Sequence, residues 1–436
     1  MNTRENWYFE PETETMPREE LAARQLVLLK KSIADAYDNV ALYRNRMDAT
    51  GFRAQDIGTL EDVRHLPFTV KSDLREHYPF GMFARPREKL ARLHASSGTT
   101  GKPTVVGYTA EDLAIWAGLM ARSMACAGAR PGDVVHNAYG YGLFTGGLGV
   151  HYGAERLGAT VVPVSGGATE RQVLLIQDFG ARMLCATPSY ALNIAEVAEH
   201  EGVDLRKSRL EIGLFGAEPW SEAMRREVES RLGLKAIDIY GLSEIMGPGV
   251  AVECAAQDGL HGWEDHFLFE IIDPETGHPV AEGEAGELVI TTLTKQALPM
   301  IRYRTRDITR AATARCACGR THLRLKRITG RNDDMLIIRG VNVYPSQIEA
   351  VLVGLPGLAP HYQLVVERRG NMDALTVEVE SVSAEAAVCR ELEAHVRHQI
   401  KTMIGVTAAI VAKKPGEVPR SQGKAVRVRD LRPKSA

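Results

Sequence analysis

The chain has 436 residues, with 53 Lys+Arg against 55 Asp+Glu and a formal net charge of -2 at pH 7. The length exceeds one ordinary core and predicts two or more domains, and the balanced charge leaves no electrostatic footprint for nucleic acid or an anionic membrane surface. Six cysteines are too sparse for a disulfide scaffold, Met1 to Glu20 is polar and acidic, and no apolar run could span a bilayer; the expectation is a cytoplasmic protein with a small-molecule partner.

From Arg18 to Met47, Leu21, Leu26, Leu29, Ile33 and Tyr37 recur at helical spacing with Gly51 as a stop, which predicts one long helix. The apolar run Leu90 to Ala95 and the β-branched Thr104-Val105-Val106 flank Ser96-Ser97-Gly98-Thr99-Thr100-Gly101-Lys102-Pro103, a strand–loop–strand pattern. Hydroxyls, glycines and a lysine in so tight a loop suit a polyphosphate and imply a nucleoside triphosphate. A Walker A loop would instead run into a helix, and the plain alternative is a Gly/Ser/Thr surface turn. Thr109-Ala110-Glu111-Asp112 has the form of a capping box and opens an amphipathic helix to Ala127. Short apolar strands then alternate with helices: Val134 to Ala138, Thr160 to Val164, Met183 to Ala186, Ile212 to Phe215 and Ala236 to Tyr240, with helices such as Glu170 to Phe179 and Tyr190 to His200. That alternation predicts a parallel α/β sheet. From Phe267 to Arg310 the period shifts towards two, so a β-rich subdomain is expected to close the large domain, ending at Gly330. The remainder, roughly a hundred residues and long enough for a separate domain, reads strand (Met335 to Ile338), helix (Pro345 to Val353), two strands (Tyr362 to Glu367, Leu375 to Glu380), helix (Ala384 to Met403) and strand (Ala408 to Val411).

Several motifs carry chemistry. Glu244, after a predicted strand end and the turn Tyr240-Gly241-Leu242-Ser243, falls at the carboxyl edge of the sheet, where open α/β proteins bind ligands. A lone carboxylate there suits Mg²⁺ held mainly by phosphates and water, against the alternative of a solvated loop glutamate. Asp307, after Arg302, Arg304 and Arg306, could accept both hydroxyls of a ribose or could pair with one of those arginines. Tyr139, Tyr141 and Phe144 stand among Gly140, Gly142, Gly146 and Gly147, which are poor fillers of helix or strand. They offer flat faces for an aromatic acid, with core packing as the alternative. Lys424, in the loop Pro419-Arg420-Ser421-Gln422-Gly423-Lys424, reads by itself as a surface lysine.

In this order, together with Phe215-Gly216-Ala217-Glu218-Pro219-Trp220 and the run from Gly330-Arg331-Asn332-Asp333-Asp334 to Glu349, the motifs resemble the adenylate-forming superfamily of acyl-CoA synthetases over about residues 20 to 432. Within it they resemble the phenylacetate–CoA ligase branch, to which the aromatic-glycine run and Gly216 to Trp220 are specific. The resemblance implies an α/β fold with a large N-terminal domain, residues 1–331, and a small mobile C-terminal α+β domain, residues 332–436. It implies ATP, Mg²⁺ and coenzyme A, an aryl acid as substrate with phenylacetate leading, and a homodimer. A different acceptor than CoA, and a non-catalytic nucleotide-binding role, are the alternatives; both Glu244 and Lys424 are present, which argues against the latter. By resemblance, Ser96, Ser97, Gly98, Thr99, Thr100, Gly101, Lys102, Gly216, Ala217, Glu218, Pro219, Asp238, Tyr240, Gly241, Ser243, Asp307 and Arg331 line the nucleotide. Glu244 holds Mg²⁺, and Lys424 bridges the carboxylate and α-phosphate. Tyr139, Tyr141, Phe144 and Gly147 receive the acid, and Asp333 is the hinge.

Cys254, His261, Cys316 and Cys318 form a second constellation that those motifs do not require. Cys316-Ala317-Cys318-Gly319 is a thiolate pair on a tight turn, and Cys254 with His261 supplies a second pair; together they fit structural Zn²⁺, with four uncoordinated thiol and imidazole side chains as the alternative. Cys126, Cys185 and Cys389 lie in apolar patterns and are expected to be buried.

Overall fold

The computed structural model describes residues 7–96, 103–312, 314–331, 336–338, 341–369, 372–421 and 425–432. Ser97 to Lys102, Asp333 and Lys424 lie outside them.

The chain opens with a short turn of helix α1 (Pro11–Glu14), then α2 (Arg18–Asn39) and α3 (Ala41–Thr50). The single helix expected from Arg18 to Met47 is therefore broken at Val40, whose side chain is fully buried and whose backbone is extended at φ -119° and ψ 113°. Arg44 takes the Tyr37 carbonyl at 3.2 Å across the break. Gly51 terminates α3 in the left-handed region, as its position predicts. After α4 (Lys71–Glu76), the hairpin β1 (Arg92–Ser96) and β2 (Thr104–Tyr108) pairs antiparallel around the Ser/Thr/Gly loop. Helix α5 (Ala110–Ala127) starts on the expected capping box, with Asp112 N–H donating to Thr109 Oγ1 at 3.1 Å and Thr109 N–H to Asp112 Oδ2 at 3.0 Å.

The alternating segment follows as β3 (Val134–Asn137), α6 (Thr145–Leu157), β4 (Thr160–Val162), α7 (Thr169–Asp178), β5 (Met183–Ala186), α8 (Pro188–His200), β6 (Ile212–Gly216), α9 (Glu222–Leu232) and β7 (Lys235–Leu242). These strands pair in parallel in the order β4-β3-β5-β6-β7. The sheet does not stop there. The chain turns back through β8 (Gly247–Glu253) and β9 (Leu260–Gly262), and these strands extend the sheet antiparallel beyond β7. The subdomain strands β10 (Phe267–Ile272), β11 (Gly286–Thr292) and β12 (Tyr303–Thr309) come next, and β13 (Ala311–Ala312) and β14 (Arg324–Leu325) complete the outer edge of the large sheet. The result is a nine-stranded mixed sheet instead of a purely parallel one. The β-rich segment forms a separate sheet β10-β11-β12-β15, closed by β15 (Gly330–Arg331) beside Asp307 and Ile308.

Helix α6 contradicts the reading of Gly146 and Gly147 as unfit for a helix. Four glycines lie within it because it packs directly on α5: a Cβ at Gly153 would stand 2.3 Å from Met120 Cβ, one at Gly149 2.6 Å from the Trp116 ring, and one at Gly147 2.6 Å from the Gly140 carbonyl oxygen. Close approach of two backbones offsets the low helix propensity of glycine.

The C-terminal body comprises β16 (Leu336–Ile338), β17 (Val341–Val343), α10 (Pro345–Leu352), β18 (Leu358–Arg369), β19 (Met372–Ser381), α11 (Ala386–Ile404), β20 (Ala409–Lys413) and β21 (Val428–Asp430). Its sheet runs β20-β19-β18-β21 around its own core of Leu364, Val377, Val396 and Ile400. The final strand, β21, carries too few apolar residues to be read from the sequence. Cys126 and Cys185 are buried as expected, whereas Cys389 on α11 is only half-buried, because α11 covers one face of a four-stranded sheet and leaves its other side to solvent.

Candidate active site and cysteine–histidine centre

The motifs converge at the carboxyl ends of the parallel strands. Tyr139 follows β3, Gly216 ends β6, Tyr240 and Gly241 lie in the last turn of β7, and the bend to β8 carries Ser243 and Glu244. Two glycines are forced by backbone proximity: a Cβ at Gly216 would fall 2.2 Å from the Ile239 carbonyl oxygen, and one at Gly241 1.9 Å from that of Gly247. Ala217 sits at φ 71°, a left-handed position that strains any residue other than glycine.

The hairpin that bears the phosphate-type loop is tied to both neighbours. Ala95 N–H donates to the Leu143 carbonyl at 3.1 Å, and Tyr108 Oη donates to the Ser243 and Met246 carbonyls at 3.2 and 3.1 Å. Thr145 Oγ1 lies 3.0 Å from Ser243 Oγ. Glu244 is 6% exposed, and its Oε1 accepts a hydrogen bond from Tyr303 Oη at 2.7 Å. Burial and that carboxylate hold the Tyr303 phenol well above its ordinary value, so it remains a donor. Lys295, in the loop after β11, is buried; its ammonium donates to the Glu244 carbonyl at 3.2 Å and stands 4.6 Å over the Tyr108 ring. Burial pulls it down to about 8, which leaves it charged at neutral pH.

Asp307 projects from β12 on the same face as Tyr303 and accepts from Tyr240 Oη at 2.5 Å. The arginines around it point away: Arg304 and Arg306 pair with Glu287 at 2.5 and 3.6 Å, and Arg302 with Glu270 at 2.7 Å. Alternation along the strand thus separates the carboxylate from its sequence neighbours. Arg331 stands opposite Asp307 in the β12–β15 register. Asp238, on β7, is pushed up to about 6 by burial and by Glu253.

The three aromatic residues differ in placement. Tyr139 is buried, with its hydroxyl 3.3 Å from the Leu214 carbonyl. Tyr141 is half-buried, and its oxygen accepts from Asn137 Nδ2 at 2.8 Å and lies 3.1 Å from His151 Nδ1. Phe144 is 41% exposed and folds its ring over Gly146. Glu218 accepts from Ser189 N–H at 2.8 Å and from Ala425 N–H at 2.6 Å, bridging the large domain and the C-terminal body. Sequence reading passed over Tyr303, Thr145 and Lys295. For Tyr303 a signal existed, because it shares a strand face with Asp307.

The second constellation assembles at the antiparallel edge of the large sheet. Cys254, His261, Cys316 and Cys318 are all buried, and one ligand atom from each lies within 4.8 Å of the others. Cys254 Sγ is 3.6 Å from Cys316 Sγ, and Cys318 Sγ is 3.4 Å from His261 Nε2. A tetrahedron with Zn–S of about 2.3 Å and Zn–N of about 2.0 Å has edges of roughly 3.8 and 3.5 Å, so the donor set fits zinc. The neighbouring Cys254 thiol and the His261 ring hold the Cys318 thiol far below its usual value, against burial, which raises it.

Comparison with known proteins agrees with this geometry. Residues 52–294 match the AMP-binding enzyme family and residues 340–432 the AMP-binding enzyme C-terminal domain. The phenylacetate-coenzyme A ligase of Thermus thermophilus is 53% identical over 97% of this chain and 99% of its own. That of Escherichia coli is 55% identical over 96% and 97%. A crystal structure of 2-hydroxyisobutyryl-CoA ligase in the postadenylation state with 2-HIB-AMP superposes with a TM-score of 0.92 at 32% identity, covering 99% of this chain and 93% of that one. The same enzyme with 2-HIB-AMP and CoA in the thioesterification state gives 0.74 at 33% identity, over 98% and 92%. Among the described residues no helix is long and apolar enough to cross a membrane. With its motifs gathered at one sheet edge and its relatives matched from end to end, this chain belongs to the AMP-binding enzymes, in the family of the phenylacetate–coenzyme A ligases.

Proposed function

We propose that this protein is an AMP-forming acid–thiol ligase that converts phenylacetate to its CoA thioester. The acid carboxylate attacks the α-phosphate of ATP, forming acyl-adenylate and releasing pyrophosphate; the CoA thiol then attacks the acyl carbon, loses its proton and displaces AMP. Passing through a mixed anhydride turns a poor electrophile into a reactive one. The carrying observation is the more than 50% identity to phenylacetate–CoA ligases over nearly the full chain. Glu244 and Asp307 support it, since each is ordered by a tyrosine at the sheet's carboxyl edge. Among the described residues Glu244 Oε2 makes no hydrogen bond, which suits Mg²⁺, whose charge would offset that of the phosphates when bound. Asp307 would accept the ribose hydroxyls, the loop from Ser96 to Lys102 would cradle phosphates, and Tyr139, Tyr141, Phe144 and Gly147 would receive the aryl acid. Gly216 to Pro219, Asp238, Tyr240, Gly241, Ser243 and Arg331 complete the nucleotide set by resemblance. Lys424 would stabilise the charge that develops in adenylation. We place the domain boundary at 331/332 with Asp333 as hinge, and the enzyme in the cytoplasm, where ATP and CoA are supplied.

The test is AMP formation from a panel of carboxylic acids with and without CoA. Phenylacetate should exceed hexanoate in kcat/KM, and AMP release should depend on CoA; hexanoate equal to or above phenylacetate removes the aromatic assignment. The Cys254, His261, Cys316 and Cys318 centre would hold structural Zn²⁺. Metal analysis of protein purified without chelator should return one zinc per chain, and chelation should lower Tm; zinc-free protein of unchanged Tm overturns this assignment.

A further inference from the structure

The Glu244 turn rests on a buried cation that the adenylation motifs do not account for. Lys295 is 3% exposed, and among the described residues no carboxylate lies within ion-pair distance of its ammonium; its contacts are the Glu244 carbonyl oxygen at 3.2 Å and the face of Tyr108 at 4.6 Å. Burial disfavours the ammonium, and only the Asp112 and Glu244 charges, beyond ion-pair distance, oppose that. The surrounding structure is nevertheless built to keep it in place. Asp112, fully buried at the start of α5, accepts from the backbone N–H groups of Gln296 and Ala297 at 2.7 and 2.9 Å, which fixes the chain next to Lys295. Tyr108, immediately before that cap, puts its ring beneath the ammonium and its hydroxyl on the Ser243 and Met246 carbonyls. Trp116, one turn further along α5, stacks on Tyr108 at 5.1 Å and donates to the Pro248 carbonyl at 3.0 Å. One junction, from β2 into α5, therefore sets both the lysine and the turn above it.

We propose that Lys295 is a positioning residue for Glu244: through its hydrogen bond to the Glu244 carbonyl it anchors the peptide that aims the Glu244 carboxylate at the metal–nucleotide. The proposal rests on the adenylation reading, which is tested first and separately by acid-dependent exchange of pyrophosphate into ATP in the unaltered protein. Positioning and packing then predict opposite results. Replacing a buried charge that makes no direct ion pair leaves stability equal or higher, whereas removing a packing element lowers it.

The experiment compares Lys295→Met and Lys295→Gln, each alone and in a Glu244→Gln background, by Tm, by the Kd of ATP with Mg²⁺ and with EDTA, and by pyrophosphate exchange. We expect Tm unchanged or raised, and ATP binding with Mg²⁺ and exchange weakened about 10–100-fold, the range for a group that orients a metal ligand. Binding of ATP in EDTA should hardly change, and the Lys295 effect should vanish once Glu244 is neutral, since the two act as one unit. Losses that persist undiminished in the Glu244→Gln background, losses that follow a fallen Tm, or an unaltered Mg²⁺ response overturn the proposal. Failure of both variants to fold assigns Lys295 to packing and overturns it equally.

Discussion

At the residue scale, burial separates the groups that share a motif. Phe144 stands at the rim, 41% exposed, whereas Tyr139 is 5% exposed and already bonded to the Leu214 carbonyl. The Tyr139 hydroxyl is therefore committed inside the fold and is a weaker selector of ring-hydroxylated acids than its place in the motif implies. Truncating a half-exposed ring removes a modest area and leaves no closed cavity, so Phe144→Ala should lower kcat/KM for phenylacetate by about 1 kcal/mol, roughly fivefold. A loss of a hundredfold would mean that the ring closes over the substrate. Lys424→Ala should lower acid-dependent pyrophosphate exchange on the order of a hundredfold, as for loss of one preorganised charge in a transition state. Thioester formation from supplied acyl-adenylate should fall much less, and equal losses in both steps would exclude the role. Glu244 and Asp307 were legible by their motifs. Their tyrosine partners Tyr303 and Tyr240 lie 59 and 67 positions away in sequence, a pairing no local pattern encodes.

At the element scale, α6 shows that glycine content does not exclude a helix when another helix must approach closely. Gly153→Ala would raise intrinsic helix propensity, yet its Cβ would fall 2.3 Å from Met120 Cβ. We expect a net destabilisation of about 1–3 kcal/mol from overpacking, read as a lowered Tm; a raised Tm would show that α5 and α6 can separate freely. The N-terminal arm makes a second case. Its residues clasp the segment after the cysteine turn: Tyr8 Oη donates to the Cys318 carbonyl at 2.7 Å, Arg320 pairs with Glu14 at 2.6 Å, and His322 Nε2 meets the Thr13 carbonyl at 3.1 Å. His322 Nδ1 accepts from Glu264 N–H at 3.0 Å, so the ring is held neutral. Burial pulls it down to about 4 from 6.5, against the opposing pull of Asp265 and Glu264 and with Arg122 adding to the shift. A histidine depressed in the folded state contributes stability that is lost as pH falls from about 6.5 to about 4, because the unfolded chain binds the proton first. Protease susceptibility of the arm should rise across that window, and His322→Gln should flatten the dependence.

At the scale of the whole molecule, the C-terminal body is tied to the large domain by charged contacts to the described residues either side of 422–424. Glu196 on α8 pairs with His361 and, at 2.9 Å, with Arg420, which also grips Glu380 at 2.7 Å. Glu218 holds Ala425 N–H at 2.6 Å, and Glu349 accepts from Ser221 N–H at 2.8 Å. The TM-score is 0.92 against the postadenylation structure of one ligase and 0.74 against its thioesterification structure, so this arrangement resembles the former more than the latter. If the proposed turnover passes through a second orientation, as the relative's two structures differ, these contacts are expected to break on the way. Glu196→Gln removes the charge from one latch and should slow pyrophosphate exchange about fivefold, near 1 kcal/mol for a half-buried pair. Thioester formation from supplied adenylate should hold steady or rise; a parallel fall in both half-reactions would show that Glu196 serves stability alone.

The sequence by itself determined helix α5 and the parallel strands from β3 to β7, because apolar periodicity and caps are local, but not the break at Val40 or the glycine-rich helix α6. It also singled out Cys254, His261, Cys316 and Cys318 as one constellation, which the fold brings within 4.8 Å of one another. Only the tertiary structure decided the antiparallel extension from β8 to β14, the break at Val40 and the pairing of Arg302, Arg304 and Arg306 with Glu270 and Glu287 instead of Asp307. It alone gathered Cys254 and His261 with Cys316 and Cys318, and set Lys295 under Glu244. The division follows from range. Periodicity, capping and turn chemistry act within a few residues, whereas strand register, burial and charge pairing depend on segments that meet only when the sheet closes.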